Sequence, residues 1–551
     1  MPTIECSKKD LEKLIGKKFD SAEKLEQALQ YAKGGIGSLE GDALKIEVQD
    51  ANRPDLWSAE GIARELKARL GLETGLPKFK VKKSKVQLII EKSVKKSRPY
   101  MVAALAKNVK ITEEYLVQMI QLQEKVGLTY GRKRKEVGIG IYDLDKMKAP
   151  IYYKGIKPRE IKFAPLEFER DLGLNEILEL HPKGKEYGHL IKAFEYYPIV
   201  MDSTGTVCAM PPIINSNYTG KVTEKTKNLF IEVTGWNKEI VNIALNVMVA
   251  AVHDRGADIE AVEIVDETEK AKYFTPNFEP KKTKVKIEFI NKLAGMNWST
   301  KEIVKLLERA RYNCTIKGKE ILLEVPSYRQ DLLHEADIVE DAVISYGYNN
   351  LEPKATEMNV VGKDLLETRL KEVIRSTCVG LQLQEVLTYN LTSKEKQVTK
   401  LGLNLQKEIF AEIANPMSSE YAIFRKQIFP ELLEFLGKNS RYEYPQNIFE
   451  IGKGLELDAK SETGVNEKNK ICIIICGRNA NFNEGKRHLQ ALSNSMNWDY
   501  ELKKIEHSAF KPGLCAEIKI ENRIGIIGEL KESILKNFSI EMPACVIELE
   551  F

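Results

Sequence analysis

Features that mark membrane, secreted and zinc-binding proteins are missing from this chain of 551 residues. No apolar run approaches the roughly 18 to 20 residues that cross a bilayer, and the tightest run, at residues 471–476, indicates a buried strand. The eight cysteines form no C-x-x-C pair, the six histidines are scattered, and the N-terminus lacks the layout of a secretory signal. We therefore expect a cytoplasmic protein with reduced thiols and no membrane partner.

Other missing features exclude repeat folds, disordered tracts and one common type of phosphate-binding site. The sequence has no internal repeat of fixed period, no low-complexity tract and no G-x-x-x-x-G-K-[S/T] phosphate loop. Its composition, 43% hydrophobic and 30% charged, is instead that of a folded protein with several cores. A chain of this length predicts roughly three to five domains.

Basic residues are concentrated in two short runs, although the net charge is only +4. Lysines and Arg98 dominate residues 78–98, where Glu91 is the one acid, and residues 132–135 are all basic. Such runs can neutralise the phosphates of a nucleic acid. They can equally form a solvated linker or an exposed face, so they permit an RNA partner without requiring one.

The order of helical and extended patterns predicts a multidomain α+β fold. A small N-terminal α/β module covers residues 1–76 and includes a helix over residues 59–70, capped by Ser58 and ended by Gly71. A lysine-rich linker is expected around residues 77–85, followed by a mixed α/β domain at residues 90–270. A compact α/β module at residues 280–354 and a large domain of alternating helices and strands at residues 358–551 complete the chain.

Four acids stand close together in the compact module. Asp337, Glu340 and Asp341 are spaced i, i+3 and i+4, so a helix projects them from one side, and Asp331 lies in the turn before that helix. Four clustered carboxylates repel one another unless a cation lies among them, and oxygen ligands without histidine or cysteine favour Mg²⁺. The simpler alternative is that acids favour the positive N-terminal end of a helix.

The stretch around these acids resembles a module of phenylalanyl-tRNA synthetase beta subunits of the short archaeal and eukaryotic-like type. The similar segments are PSYRQD at residues 326–331, DIVED at 337–341 and YGYNN at 346–350, together with RPDL at 53–56. The resemblance implies that Asp331, Asp337, Glu340 and Asp341 bind magnesium near the contact with an alpha subunit. Asp341 departs from the family pattern, in which glutamate is more usual.

A second stretch resembles the proofreading (editing) domain of the same family, in the region 90–270. PPIINS at residues 211–216 leads through a polar loop to FIEVT at 230–234, where alternation places Glu232 and Thr234 on one strand face. The resemblance implies hydrolysis of tyrosine wrongly attached to phenylalanine tRNA, by a positioned water. The implied site residues are Asn215, Ser216, Thr226, Glu232 and Thr234. Taken alone, a glutamate on a strand would usually just point to water.

The C-terminal region, 358–551, resembles the catalytic-like domain of this family, which has the antiparallel sheet with helices of class II synthetases. The similar runs include LQEVLTYNL at residues 383–391 and FEIGKG at 449–454. Where an active class II site needs an arginine for the ATP phosphates, this chain has Phe449 and Glu450, and a carboxylate would repel that anion. The resemblance therefore implies a catalytically inactive domain that packs against an alpha subunit.

Taken together, the resemblance implies a beta subunit of an (αβ)₂ enzyme that attaches phenylalanine to tRNA(Phe) at the expense of ATP. ATP and phenylalanine would be bound mainly by the alpha subunit, and adenylation would not occur on this chain. Two alternatives remain open. One is a structural, RNA-docking subunit without editing activity, and the other is a stand-alone aminoacyl-tRNA hydrolase.

Overall fold

The computed structural model describes residues 2–355, 358 and 360–551. It forms two compact units, Met1–Lys354 and Ala355–Phe551. Helices and strands are mixed in both units, and each unit contains more than one sheet or core, so the expectation of a mixed α/β multidomain chain is confirmed.

The N-terminal module is built on a small antiparallel sheet whose strands run in the order Thr3–Ser7, Ala43–Val48, Gly34–Glu40. Its helices are Lys8–Ile15, Ala22–Gln30 and Ala59–Arg69. Ser58 caps the last helix by accepting a hydrogen bond from the backbone N–H of Gly61, and Gly71 follows with a left-handed φ of 76°. The cap and the end predicted for this helix are therefore confirmed.

A large sheet fills the middle of the first unit and carries the candidate editing residues. Within the described residues its strands follow the order Ile214–Asn215, Val207–Met210, Tyr197–Met201, Ile151–Ile156, Val81–Ile90, Asp258–Asp266, Tyr100–Lys107, Leu229–Gly235, Val137–Asp143, with Ala271–Thr275 paired to Asp258–Asp266. A smaller pair is Lys162–Phe163 and Leu172–Gly173. The accompanying helices are Glu113–Lys125, Leu174–Leu180, Pro182–Tyr187 and Lys238–Asp254.

The expectation of a lysine-rich linker at residues 77–85 is wrong for most of these residues. Val81–Ile90 is a strand inside the large sheet, with Asp258–Asp266 and Ile151–Ile156 as parallel neighbours. A strand tolerates lysines because their long stems lie along the sheet while the ammonium groups stay in water. Its far end alternates normally, with Leu88 and Ile90 buried. The large domain therefore begins about ten residues earlier than the expected boundary at residue 90.

The compact module consists of an antiparallel sheet in the order Lys281–Lys286, Glu320–Val325, Asn313–Lys317, covered by helices Ile287–Ala294, Thr300–Arg309 and Glu335–Tyr346. The last helix is the one predicted from the acidic stretch. It ends at Gly347, whose φ of 96° an L side chain rarely adopts.

The second unit is organised around a sheet that is antiparallel apart from one parallel pair at its edge, Gln384–Glu385 beside Gln446–Leu457. Across the sheet the strands are Gln384–Glu385, Gln446–Leu457, Val465–Cys476, Ala544–Glu550, Arg523–Leu530, Phe510–Ile520 and Glu501–Lys504. Helices Leu366–Gly380 and Phe482–Met496 pack on one face, and Phe429–Lys438 and Glu532–Asn537 on the other. A short pair, Leu391–Thr392 and Ile423–Phe424, lies outside the sheet.

Candidate functional site

Glu232 is a buried carboxyl group in the large sheet. Its strand, Leu229–Gly235, pairs with Tyr100–Lys107 on one side and Val137–Asp143 on the other, so Glu232 stands opposite Ala103 and Gly140. The residue is 2% exposed. Burial raises the pKa of Glu232 to about 8, although a hydrogen bond from Tyr142 and the charge of Arg98 lower it in part. A glutamate on this strand does not point to water here.

A cavity of about 380 Å³ lies beside Glu232. This volume is in the range of small-molecule pockets, which are about 300 to 1,000 Å³. Its wall includes Asn215, Pro212 and Gly138 from the sheet and its connections, and Met119 from the helix Glu113–Lys125. Asn215 and Glu232, two of the five residues expected from the sequence, thus share this cavity.

The hydroxyl groups of the other expected residues bond to the surrounding framework. Ser216 is buried next to Asn215, and its Oγ lies 2.9 Å from Oγ1 of Thr219. Thr226 Oγ1 donates to Oδ2 of Asp143 at 3.3 Å. These contacts hold the loop between the PPIINS segment and the strand.

Thr234 shares the strand face of Glu232, as expected, and its polar atoms accept hydrogen bonds from a buried arginine. Arg98 Nε donates to Thr234 Oγ1 at 3.0 Å, and a second guanidinium nitrogen donates to the Thr234 carbonyl at 2.7 Å. Burial lowers the pKa of Arg98 to about 10. Arg98 therefore belongs to the interior of this domain, although the sequence places it in a basic run suited to phosphate contacts.

Sequence reasoning missed the strand Val137–Asp143, which faces Glu232. Tyr142 on this strand is fully buried and donates a hydrogen bond to Oε1 of Glu232 at 3.0 Å. Gly138 and Gly140 share the face of Tyr142, and a Cβ at Gly140 would lie 2.5 Å from Glu232 Oε1. The sequence VGIGIYD carries a signal for this arrangement, because alternating glycines on a strand mark a face that something else approaches closely.

The second basic run, residues 132–135, is a tight left-handed turn beside the cavity. Arg132, Lys133 and Arg134 all have positive φ, between 48° and 63°. Arg134 is packed rather than free, because it donates to the carbonyls of Pro212 and Ile213 and pairs with Glu124 at 2.6 Å. Arg132 and Lys133 are exposed.

The acidic stretch forms a second, separate group of charges in the first unit. Asp341 is buried, with Oδ1 2.5 Å from Arg69 and Oδ2 2.8 Å from Arg329. The hydroxyl of Tyr312 also donates to Oδ2. Burial alone would raise the pKa of Asp341, but the two guanidinium groups hold it well below the ordinary value.

Asp331 is likewise neutralised by arginine. Both its oxygens accept from Arg329, at 3.1 and 2.5 Å, and Arg53 lies 3.7 Å away. Arg53 also binds both oxygens of Asp55, so the RPDL segment contributes a cation to the same network. Burial would raise the pKa of Asp331, whereas Arg329 and Arg53 lower it.

The other two acids act separately. Asp337 Oδ2 accepts from the backbone N–H groups of Leu333 and His334, at 2.7 Å each, and so caps the start of its own helix. Glu340 is about half exposed and pairs with Lys33 at 3.0 Å.

The residues present therefore do not fit a magnesium site formed by all four acids. Among the residues that the structure describes, no group of three or more His, Cys, Asp and Glu side chains stands at metal-binding distance. The three helical acids have the spacing of one helix side, but their side chains do not converge: Asp341 is buried against Arg69 and Arg329, whereas Glu340 pairs with Lys33. The repulsion between carboxylates, from which the sequence argument inferred a metal ion, is relieved here by arginines.

In the second unit, Glu450 is held in a buried ion pair. Its Oε1 lies 2.7 Å from Arg425, and its Oε2 accepts from the hydroxyl of Thr388 at 2.6 Å. Arg425 also donates to that hydroxyl at 2.7 Å. The arginine and the carboxylate at this position of the sheet therefore satisfy each other.

No helix in the described part of the chain has both the length and the apolar character needed to cross a membrane.

Comparison with known protein families accounts for most of the chain. The model described as phenylalanyl tRNA synthetase beta chain CLM domain matches residues 351–551. The tRNA synthetase B5 domain matches residues 283–348, and the B3/4 domain matches residues 87–268. The last two ranges coincide with the compact module and with the sheet that carries Glu232.

Individual relatives are similar along their whole length. The phenylalanine–tRNA ligase beta subunit of Pyrococcus horikoshii is 45% identical over 554 residues, which cover 100% of this chain and 99% of the relative. That of Thermococcus sibiricus is 43% identical, covering 100% and 98%. A crystal structure of an N-terminal fragment of the P. horikoshii phenylalanyl-tRNA synthetase beta subunit has 48% identity and a TM-score of 0.61, and covers 63% of this chain and 100% of the fragment. The chain thus belongs to the archaeal-type family of phenylalanine–tRNA ligase beta subunits.

Proposed function

We propose that this subunit hydrolyses tyrosine from mischarged tRNA(Phe) in the cavity beside Glu232, and that an alpha subunit attaches phenylalanine. The observation that carries the proposal is a buried glutamate at the cavity whose second oxygen is free: within the described residues, Oε2 of Glu232 has no hydrogen-bond partner. A buried polar atom without a partner usually has a functional explanation.

An editing site of this kind is needed because a synthetase selects poorly between phenylalanine and tyrosine when it charges the tRNA. A pocket shaped for phenylalanine rejects an analogue that merely adds a hydroxyl by only about 10²-fold. A second pocket with a buried polar group reverses the preference, because tyrosine satisfies that group and phenylalanine leaves it unpaired. The difference is worth about 1 to 3 kcal/mol, or roughly 5- to 150-fold.

The cavity favours hydrolysis by a bound water. Asn215 lines it with an amide half-buried against the carbonyl of Ile141, and so offers polar atoms near the substrate ester. His181 also lines it, but its Nε2 lies 3.1 Å from the Leu166 carbonyl and its Nδ1 accepts from the Lys183 N–H. A histidine engaged at both nitrogens is poorly placed as a general base, so positioning of ester and water supplies the rate enhancement.

The aminoacylated end of a tRNA has to approach this cavity past a basic rim. Arg132 and Lys133 are exposed in the turn next to it, and Lys183 and Lys221 line its wall. Their charges support phosphate contacts by the incoming RNA strand.

The second unit supports the proposal of an alpha-subunit partner in an (αβ)₂ assembly. Several large apolar side chains of this unit are exposed, among them Leu366 and Val373, seven residues apart on one helix face. Leu387, Tyr389 and Met417 are also exposed. Such side chains suit burial against another protein. Because Glu450 and Arg425 neutralise each other, we assign ATP, phenylalanine and adenylation to the alpha subunit.

The proposed reactions do not rely on a magnesium ion at the four acids, since arginines and a lysine already neutralise three of them and Asp337 caps its helix. Magnesium binding there would require these contacts to open.

The test is deacylation of Tyr-tRNA(Phe) and Phe-tRNA(Phe) by the intact alpha–beta complex, comparing wild type with Glu232→Ala. We expect wild type to prefer the tyrosyl ester and the variant to lose that preference. Glu263→Ala is the matched control, because Glu263 lies on the same sheet and pairs with Gln87 at 2.7 Å. A wild-type complex that charges phenylalanine but leaves Tyr-tRNA(Phe) intact would instead indicate a structural, RNA-docking subunit. Activity of the chain alone, without a copurifying partner, would indicate a stand-alone hydrolase.

A further inference from the structure

Glu232 has two oxygens in different surroundings. Oε1 accepts the hydrogen bond from Tyr142 at 3.0 Å, whereas Oε2 is buried and, among the described residues, lacks a partner. Tyr142 and Glu232 are on adjacent strands, and Gly140 stands directly opposite Glu232 in the register. The phenol of Tyr142 therefore reaches Glu232 across the space that a side chain at residue 140 would fill.

We propose that Tyr142 is a positioning residue for substrate selection: it fixes one oxygen of Glu232 so that the other alone meets the hydroxyl of the aminoacyl group. This inference rests on the proposed editing function and names a residue that acts through Glu232. A carboxyl group held at one oxygen has a defined orientation, and a defined orientation distinguishes a hydroxyl at the para position of a ring from one elsewhere.

The phenol of Tyr142 is a permanent donor in this site. Burial, followed by the nearby Glu232, raises the pKa of Tyr142 well above its ordinary value, so the hydroxyl keeps its proton at any working pH. Its hydrogen bond favours the ionised form of Glu232, and removing that bond raises the pKa of Glu232 further above about 8. Tyr142 thus orients the carboxyl group and partly offsets the rise in its pKa that burial causes.

The pH dependence has a definite sign. Below its pKa, Glu232 is neutral and donates through Oε2–H to a substrate hydroxyl; above it, the carboxylate accepts from that hydroxyl in a stronger, charge-assisted bond. The preference for tyrosyl over phenylalanyl ester therefore rises as the pH passes about 8. Other titratable groups face the same region. Arg98 and Tyr153 are close enough to Glu232 to interact with its charge. The cavity is also lined by His181, Lys183, Lys221, Arg134, Glu124 and Glu167.

The experiment measures deacylation of tRNA(Phe) carrying tyrosine, meta-tyrosine or phenylalanine by the alpha–beta complex between pH 6.5 and 9, after subtraction of uncatalysed hydrolysis. For Tyr142→Phe we expect the tyrosine/phenylalanine rate ratio to fall roughly tenfold at pH 7.5 and its pH midpoint to move upward. We also expect poorer discrimination between tyrosine and meta-tyrosine. The matched control is Tyr197→Phe, which removes the hydroxyl of another buried tyrosine on the same sheet, bonded to Asn175 at 3.1 Å, and should keep the wild-type profile.

Glu232→Gln gives an independent second variant. Its amide oxygen can still accept from Tyr142, so it should retain part of the tyrosine preference with no pH midpoint. A midpoint that persists in Glu232→Gln would overturn the inference, as would a Tyr142→Phe variant with wild-type ratios and midpoint. Absence of tyrosyl deacylation in wild type would instead reject the editing proposal itself, so the two failures are distinguishable.

Discussion

Replacing Asp341 by asparagine tests the physical basis of the acidic stretch. The substitution conserves shape but removes the negative charge that faces Arg69 at 2.5 Å and Arg329 at 2.8 Å. All three side chains are buried, so both guanidinium groups would lose a charged partner in a region that water does not reach. The neighbouring acid Glu340 offers a matched comparison, because its pair with Lys33 is partly exposed to solvent.

The expected loss for Asp341→Asn is about 3 kcal/mol of unfolding free energy, the lower end for breaking a buried pair, because asparagine still accepts one hydrogen bond. Glu340→Gln should cost at most about 1 kcal/mol, as for an exposed pair. The pH dependence follows from the lowered pKa. The stabilisation by Asp341 is fully present above the ordinary aspartate pKa of 3.8 and is lost as the pH falls below that value. The unfolding free energies of the wild type and of Asp341→Asn therefore converge in acid.

Urea unfolding of the full chain, followed by tryptophan fluorescence and circular dichroism, measures both losses at pH 7 and the reduced loss for Asp341→Asn at pH 3. The same titrations with and without 10 mM magnesium separate an arginine network from a metal site. Equal costs for the two variants would refute the reasoning. So would a cost for Asp341→Asn that appears in magnesium and vanishes in its absence.

Three further predictions concern other parts of the molecule. Magnesium at 10 mM, compared with EDTA, should shift the melting temperature of the chain by less than about 1 °C, because the four acids already bind arginines, a lysine and the start of their helix. A specific ion at a hundredfold excess over its Kd would add about 2.7 kcal/mol to the unfolding free energy, so a larger, saturable shift would show that a metal does bind. Gly140→Ala should abolish the preference for tyrosyl over phenylalanyl ester in deacylation, because the added Cβ lies 2.5 Å from Glu232 Oε1, whereas Gly380→Ala, where the space is open, should not; equal preferences would contradict the packing argument. Arg425→Met should destabilise the second unit by about 3 to 5 kcal/mol in urea, and adding Glu450→Leu should restore most of that loss; equal losses for the single and double variants would show that the two side chains are not coupled.

Local patterns were enough to predict the elements that carry the candidate sites. The helix Glu335–Tyr346 and its stop at Gly347 follow from spacing, and so does the strand face shared by Glu232 and Thr234. These features depend on residues close together in sequence. The antiparallel strand Val137–Asp143 was not predicted, because its pairing with Leu229–Gly235 joins segments some ninety residues apart.

The same limit explains the acidic stretch. Sequence spacing identified four carboxylates, but Arg69 lies 272 positions before Asp341, and its role emerges only when the helix Ala59–Arg69 packs against the compact module. An argument from neighbouring residues alone therefore assigned the neutralising positive charge to a metal ion, because the arginines that provide it are distant in sequence. The prediction of a linker at residues 77–85 was wrong for a related reason: the lysine-rich composition suggested a linker, whereas pairing with a strand distant in sequence places most of these residues in a sheet.

Binding of non-hydrolysable analogues tests the central claim most directly. The affinities of 3′-amide-linked tyrosyl- and phenylalanyl-adenosine for the alpha–beta complex can be compared by calorimetry, with the amino-acid site of the alpha subunit saturated by phenylalanine. We expect the tyrosyl compound to bind at least about tenfold more tightly, and Glu232→Ala to remove the difference. Equal affinities in the wild-type complex would contradict a role for the free oxygen of Glu232 in recognising the tyrosine hydroxyl.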